Sequence, residues 1–180
     1  IPAAILAGLS LRGASERPIS PGDSVGATNW GGCYGQNYSK CAVEDGADYI
    51  AATGSTALKL WMSTDTSPRE QFRFGPCNFP EPLFTTPLEA AKHPSFMAVF
   101  QNPHWTTIDL VTYAGSNPGN NANYWRDGEF TAADAARETS QMYDLAMHLL
   151  TSPDLPSGRT YILEHWEGDW SIRPAYNASL

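Results

Sequence analysis

The chain contains no run of about 18 apolar residues, the least that a membrane-spanning helix needs, so no membrane span is expected. It is also poor in cations. Eleven Lys and Arg stand against nineteen Asp and Glu, a net charge of −8, which argues against a nucleic-acid backbone or an anionic membrane surface as partner. A neutral substrate fits this balance better. No G-x-G-x-x-G or P-loop follows a strand; the nearest glycine cluster, Gly31-Gly32-Cys33-Tyr34-Gly35, matches neither, and a nucleotide cofactor loses its usual cradle. There is no H-E-x-x-H and no G-x-S-x-G, and none of the three cysteines has a histidine beside it. Metal-dependent and serine- or cysteine-nucleophile hydrolysis are therefore unsupported, and neither a metal nor a cofactor is expected.

What is present is an ordinary globular composition. The 180 residues are 42% hydrophobic and 17% charged, enough for a sizeable core. Residues 1–22 read as an extended, Pro/Gly/Ser-rich lead-in, and 23–180 as one domain. The apolar start, Ile1 to Leu11, lacks a basic n-region and is expected to be a mature terminus left after processing.

Strand and helix signals then alternate. Val25 to Trp30 predicts a strand. Val43, Ala47, Ile50 and Ala51 share one face of a helix that Gly54 stops. Ala57 to Met62 predicts a buried strand, Pro87 to Lys92 a short helix, Phe96 to Phe100 either a helical turn or a strand, and Thr107 to Tyr113 a β-branched strand. A Gly/Asn loop covers 115–123. Thr131-Ala132-Ala133-Asp134 is a capping box opening a helix with Met142, Leu145, Ala146 and Leu149 in one stripe, and Thr160 to Trp166 is the fourth strand. This order is that of a parallel α/β fold, either doubly wound or a (β/α) barrel.

Chemistry concentrates at 161–170, where an apolar strand runs into Glu164, His165, Trp166, Glu167, Asp169 and Trp170. A carboxyl group beside aromatic rings loses hydration and can hold a proton near neutral pH, while the rings offer flat faces to a sugar. Work on a glycosidic bond is the chemistry this suggests. Because side chains alternate along a strand, Leu163, His165 and Glu167 share one side and Ile162, Glu164 and Trp166 the other. Glu167 is favoured as general acid/base because it lies at the strand's end, with Asp169 in the following loop to position it, bind a hydroxyl or cap a helix. Asn29, Trp30, Lys59, Trp61, Tyr113, His165 and Trp170 gather at the C-terminal ends of the strands, the active-site face of a (β/α) barrel, and are the candidate substrate contacts. Lys59 has two readings, a partner for a carboxylate inside the barrel or a snorkelling strand-end lysine.

Val25-Gly26-Ala27-Thr28-Asn29-Trp30, Gly54-Ser55-Thr56-Ala57-Leu58-Lys59-Leu60-Trp61 and above all Trp166-Glu167-Gly168-Asp169-Trp170 resemble secreted TIM-barrel proteins related to the large retaining glycoside hydrolase clan. The resemblance covers roughly 23–173. It implies a retaining glycosidase whose acid/base glutamate ends the fourth strand, the place of Glu167. In that clan Asn usually stands directly before this glutamate; here Trp166 does. A complete barrel takes about 250 residues, and about four of its strands are found here, the N-terminal half. Since the clan's nucleophile ends a strand of the later half, the expectation is completion by a second polypeptide chain or by another copy of this one.

Asn37-Tyr38-Ser39 and Asn177-Ala178-Ser179 are N-glycosylation sequons. Cys33 and Cys41 flank a short loop that a disulfide would close, with a pairing that uses Cys77 left open. These features suggest an extracellular, secreted protein. Two functions remain, a glycoside hydrolase acting on carbohydrate through Glu167, and a non-catalytic secreted carbohydrate-binding, storage or structural glycoprotein.

Overall fold

The computed structural model describes residues 26–31, 34, 38–64, 72, 75–80, 84–112 and 131–164. Four strands, β1 (Ala27–Asn29), β2 (Ala57–Trp61), β3 (Thr107–Val111) and β4 (Thr160–Glu164), alternate with helices α1 (Ala42–Ala52), α2 (Pro87–Ala91), α3 (Pro94–Gln101) and α4 (Ala132–Thr151). All strand pairs are parallel and the order across the sheet is β1-β2-β3-β4.

That order decides the winding. Crossovers between parallel strands of one sheet are right-handed as a rule, and such crossovers stepping always in one direction put their helices on one side of the sheet. A doubly wound sheet would need a reversal, and none occurs among the described strands. The architecture is a singly wound α/β sheet, compatible with half of a (β/α) barrel.

Packing agrees with this winding. Asn29, Leu60, Leu110 and Leu163 are in register across the sheet, as are Ala27, Leu58, Ile108 and Tyr161 one pleat earlier, so all eight point to the same face. Asn29 bonds α1, and the Tyr161 ring meets Phe100 of α3 edge-on at 6.3 Å. Leu58, Leu60, Ile108 and Leu110 are fully buried there with Val43, Ala47 and Ile50 of α1, Phe96 and Phe100 of α3, and Leu145 and Leu149 of α4. Each large apolar side chain so buried contributes roughly 1.5–3 kcal/mol.

Local rules explain the helix ends. Thr131 and Asp134 form the reciprocal capping box at the start of α4, with Asp134 N donating to Thr131 Oγ1 and Thr131 N donating to Asp134 Oδ2. Gly54, at φ +88°, supplies the left-handed residue just beyond α1. Gly46, in the middle of α1, is a different case. A Cβ there would overlap the Asn29 side chain, so the missing side chain lets helix and strand meet. Phe96 to Phe100, ambiguous in sequence, is helical: Pro94 opens α3, and His93 Nδ1 caps it by accepting from Ser95 N at 3.3 Å. Arg159 ties β4 to the end of that helix, its guanidinium donating to the carbonyls of Phe100, Asn102 and Trp105.

One expectation is corrected. Cys41 bonds Cys77, closing a loop with a sequence separation of 36, and is not bonded to Cys33. Cys41 is the N-cap of α1 and is buried at 4%, beside the segment that carries an equally buried Cys77. Sequence proximity favoured the nearer cysteine, but the tertiary packing brings the distant one into reach. Residues 1–22 and Cys33 lie outside the described residues. Among the described residues no helix is long and apolar enough to cross a membrane.

Candidate active site

Three charged residues meet on the face opposite the helices. Lys59 of β2 and Asp109 of β3 are direct register partners, and Glu164 of β4 lies one layer further toward the C-terminal ends, opposite Val111. Each sits in an otherwise apolar strand, Ala-Leu-Lys-Leu-Trp, Thr-Ile-Asp-Leu-Val and Thr-Tyr-Ile-Leu-Glu, on the pleat that the helices do not cover. The Lys59 ammonium donates to Glu164 Oε2 and stands 3.8 Å from Asp109 Oδ2. All three side chains are partly accessible, at 25%, 23% and 34% for Lys59, Asp109 and Glu164.

The two carboxyl groups are pushed in opposite directions. The hydrogen bond from Lys59 holds Glu164 below the ordinary glutamate range, against the opposing effect of its own slight burial. Burial raises Asp109, and the neighbouring Glu164 charge raises it further, more than Lys59 lowers it. Asp109 Oδ1 is buried and accepts no hydrogen bond that would favour the ionised form. One ammonium thus serves one carboxylate well and leaves the other carboxyl inclined to keep its proton.

Aromatic rings flank this group. Trp30, directly after β1, and Trp61, the last residue of β2, meet edge-to-face with centroids 5.4 Å apart. Trp61 is 7% exposed and its indole N–H donates to Ser63 Oγ, whereas Trp30 is 51% exposed. The Tyr34 hydroxyl bonds both the N–H and the carbonyl of Trp30, fixing the backbone that presents this ring. Of the two, Trp30 is the more exposed; Trp61 meets it from the core.

Of the other residues marked out by the sequence, Asn29 has a role other than the sugar contact expected. It is fully buried on the helix side, where its amide donates to the carbonyls of Ala42 and Val43 and clamps α1 to β1. Lys59 takes the first of its two readings, paired with carboxylates and not snorkelling alone. Tyr113, His165, Glu167, Asp169 and Trp170 lie outside the described residues, as do Asn37 and Asn177. Asp109 was not among the candidate residues, and Glu164 was passed over in favour of Glu167. The signal for them was a single charge inside each of three apolar strands, with signs that complement one another.

No family model, no curated protein and no solved structure matches the chain. Its chemistry has to be argued from the site itself. Among the described residues no group of three or more His, Cys, Asp or Glu is arranged to hold a metal ion. What the arrangement offers is a carboxylate favoured in its ionised form, a second carboxyl group whose pKa is raised, a cation bonded to the first and an exposed indole nearby, the kind of set in which acid–base chemistry is sought.

Proposed function

We propose that the chain is the N-terminal half of a (β/α) barrel that hydrolyses glycosidic bonds outside the cell. The observation that carries this reading is the Lys59–Asp109–Glu164 group on the helix-free face, where the carboxyl ends of a singly wound parallel sheet would form the mouth of a barrel. Glycoside hydrolysis calls for two carboxyl groups in different protonation states, and the environments of Asp109 and Glu164 favour such a division. The resemblance at Trp166 to Trp170 adds Glu167 as the first candidate for general acid/base, with Asp169 to orient it. Trp30, Trp61, Tyr113, His165 and Trp170 are the proposed sugar contacts.

Completion of the barrel by further strands, from a second chain or another copy, is part of the same proposal. Its support is the β4 flank. Ile162 and Leu163 are 46% and 37% exposed, and Tyr143, Met147 and Leu150 form an exposed apolar stripe at i, i+4 and i+7 on α4. The buried Cys41–Cys77 bond fits an oxidising compartment, and with it secretion and glycosylation at Asn37 and Asn177.

A second reading, a non-catalytic carbohydrate-binding, storage or structural glycoprotein, draws on the pairing of Lys59 with Glu164, since a satisfied ion pair also serves as a structural strut inside a barrel. Reducing-sugar release from a panel of neutral glycans by the native particle separates the two. Hydrolysis supports the enzyme; binding without hydrolysis of any glycan sinks it. Glu167→Gln, tested on whichever glycan is cleaved, then weighs the role of Glu167.

A further inference from the structure

The outer edge of α1 carries a second group, which the charged face of the sheet does not use. Asp45 and Tyr49 are one turn apart on this helix, so their side chains lie one above the other. The Tyr34 ring reaches the same strip, its centroid 5.7 Å from that of Tyr49 and its plane tilted by 46°. Both rings are open to solvent, Tyr34 at 39% and Tyr49 at 52% exposure. Asp45 is not. That residue is 8% exposed, and its Oδ2 is buried with no hydrogen-bond partner. We propose that Asp45, Tyr34 and Tyr49 bind a small, soluble quaternary ammonium ion of the choline type. This site depends neither on the hydrolase reading nor on the Lys59 group.

The carboxylate sets the charge of the ligand. Burying such a group is costly unless it is paired, and among the described residues no cation forms an ion pair with Asp45. Lys40 feels the Asp45 charge but donates to Asp48. The first turn of α1, where Asp45 lies, favours negative charge through the helix dipole, yet it brings no donor to Oδ2. A bound cation would supply the missing partner. The chain's net charge of −8 adds a field that draws cations toward it.

The rings set the kind of cation. A hard metal ion needs several oxygen ligands and would find one carboxylate here. An alkylated ammonium instead rests on aromatic faces through cation–π attraction, as in the cages that hold choline. Two tilted rings make a corner for a compact, rounded group, whereas a neutral sugar stacked on either ring would leave the Asp45 charge uncompensated. The corner is also held in advance. The Tyr34 hydroxyl donates to the Trp30 carbonyl and accepts from the Trp30 N–H, so less ordering has to accompany binding.

Proton NMR of the wild-type chain, titrated with tetramethylammonium chloride at constant ionic strength against sodium chloride, tests this. Saturable binding is expected, with a Kd of roughly 1–10 mM, an upfield shift of the methyl protons and shifts of the Tyr34 and Tyr49 ring protons. Choline should bind alike, and its uncharged tert-butyl isostere at least about tenfold more weakly. Asp45→Asn should weaken tetramethylammonium binding about tenfold, and Tyr49→Ala, at an exposed position outside the core, about 2–5-fold. Absence of saturable binding, equal binding of the uncharged isostere, or either variant binding as tightly as wild type overturns the proposal. Binding to phosphatidylcholine vesicles without binding of free choline overturns it too, as do ring-proton shifts produced by glucose and not by the cation, which would make the two rings a sugar platform.

Discussion

Asp109 and Leu110 are neighbours in sequence and belong to different environments. Leu110 points into the layer of helices, has no exposed surface and is in register with Leu60 and Leu163. Asp109 points the other way, toward Lys59 and Glu164, and keeps a quarter of its side chain accessible. The same holds for Leu58 and Leu60 around Lys59. The helix face is closely packed and intolerant of change, while the other, beside the buried Trp61 and Val111, also holds charge in positions where a hydrophobic residue would serve stability as well or better. Retaining charges on a strand interior is what a site requires and a core does not.

The largest effect that sharpens this contrast is on the packed face. Leu110→Ala should cost about 2–5 kcal/mol in urea-induced unfolding, because the cavity left among α3, α4 and the sheet has little room to collapse. Asp109→Asn, one residue away, should change stability far less. Equal losses of stability from the two substitutions would mean that the two faces are not functionally distinct.

The covalent clip comes next. Cys77→Ala removes a crosslink of sequence separation 36, and the loss of loop-closure constraint should lower stability by about 3–4 kcal/mol. The damage should fall on the start of α1 and the segment around Cys77, leaving the ion pair of Lys59 and Glu164 in place. Hydrogen exchange would check this: faster exchange confined to α1 and the segment around Cys77 is expected, and equal loosening of β3 and β4 would contradict it.

The sequence made one of the two faces easy to read. Alternating burial, the capping box at Thr131, the stop at Gly54 and the stripe of Leu145 and Leu149 are local patterns, and the strands and helices they predict are found within a few residues of the expected ends. Register is not local. Only the pairing of β2, β3 and β4 reveals that Lys59, Asp109 and Glu164, up to 105 residues apart, form one group. The same limit misdirected the disulfide to the nearer cysteine and gave Asn29 to the sugar face, when a glycine in α1 had left room for its amide on the other side. The aromatic and acidic cluster at 164–170 is legible because its carboxylates stand together in sequence; Asp109 stands alone in its strand and is not.

Titration distinguishes the faces by smaller amounts. Asp109 has a folded pKa above its unfolded value of about 3.9, so the folded state binds more protons there and stability from this group declines as pH rises through that window. Glu164 has the opposite sign. Its folded pKa lies below the unfolded value of about 4.3, so its contribution is present above that pH and fades as pH falls through the folded pKa. Asp109→Asn should therefore lose less stability than wild type between pH 4 and pH 7, and Glu164→Gln less than wild type on acidification below pH 4. Unfolding midpoints across that range would read both, and parallel curves for all three proteins would remove the electrostatic division on which the site rests.

The smallest effect lies on the packed side. Burial holds His93 below the ordinary histidine range, among Phe79, Phe84 and Phe96, where its Nδ1 accepts from Ser95 N and its Nε2 lies 3.3 Å from the Asn78 carbonyl. The Asn78 contact opposes the shift by favouring a protonated ring, but burial is the larger effect. As pH falls through about 6.5 the unfolded chain takes up a proton that the folded one resists, so stability from this residue is complete above that pH and is lost below it. His93→Gln should flatten the stability profile between pH 7 and pH 5 without moving the pH dependence of any hydrolysis that is found, because the ring packs with the helices on the far side of the sheet from Lys59. If that substitution did shift the hydrolysis profile, the helix layer and the charged face would be coupled, and the separation drawn between Leu110 and Asp109 would apply to packing alone.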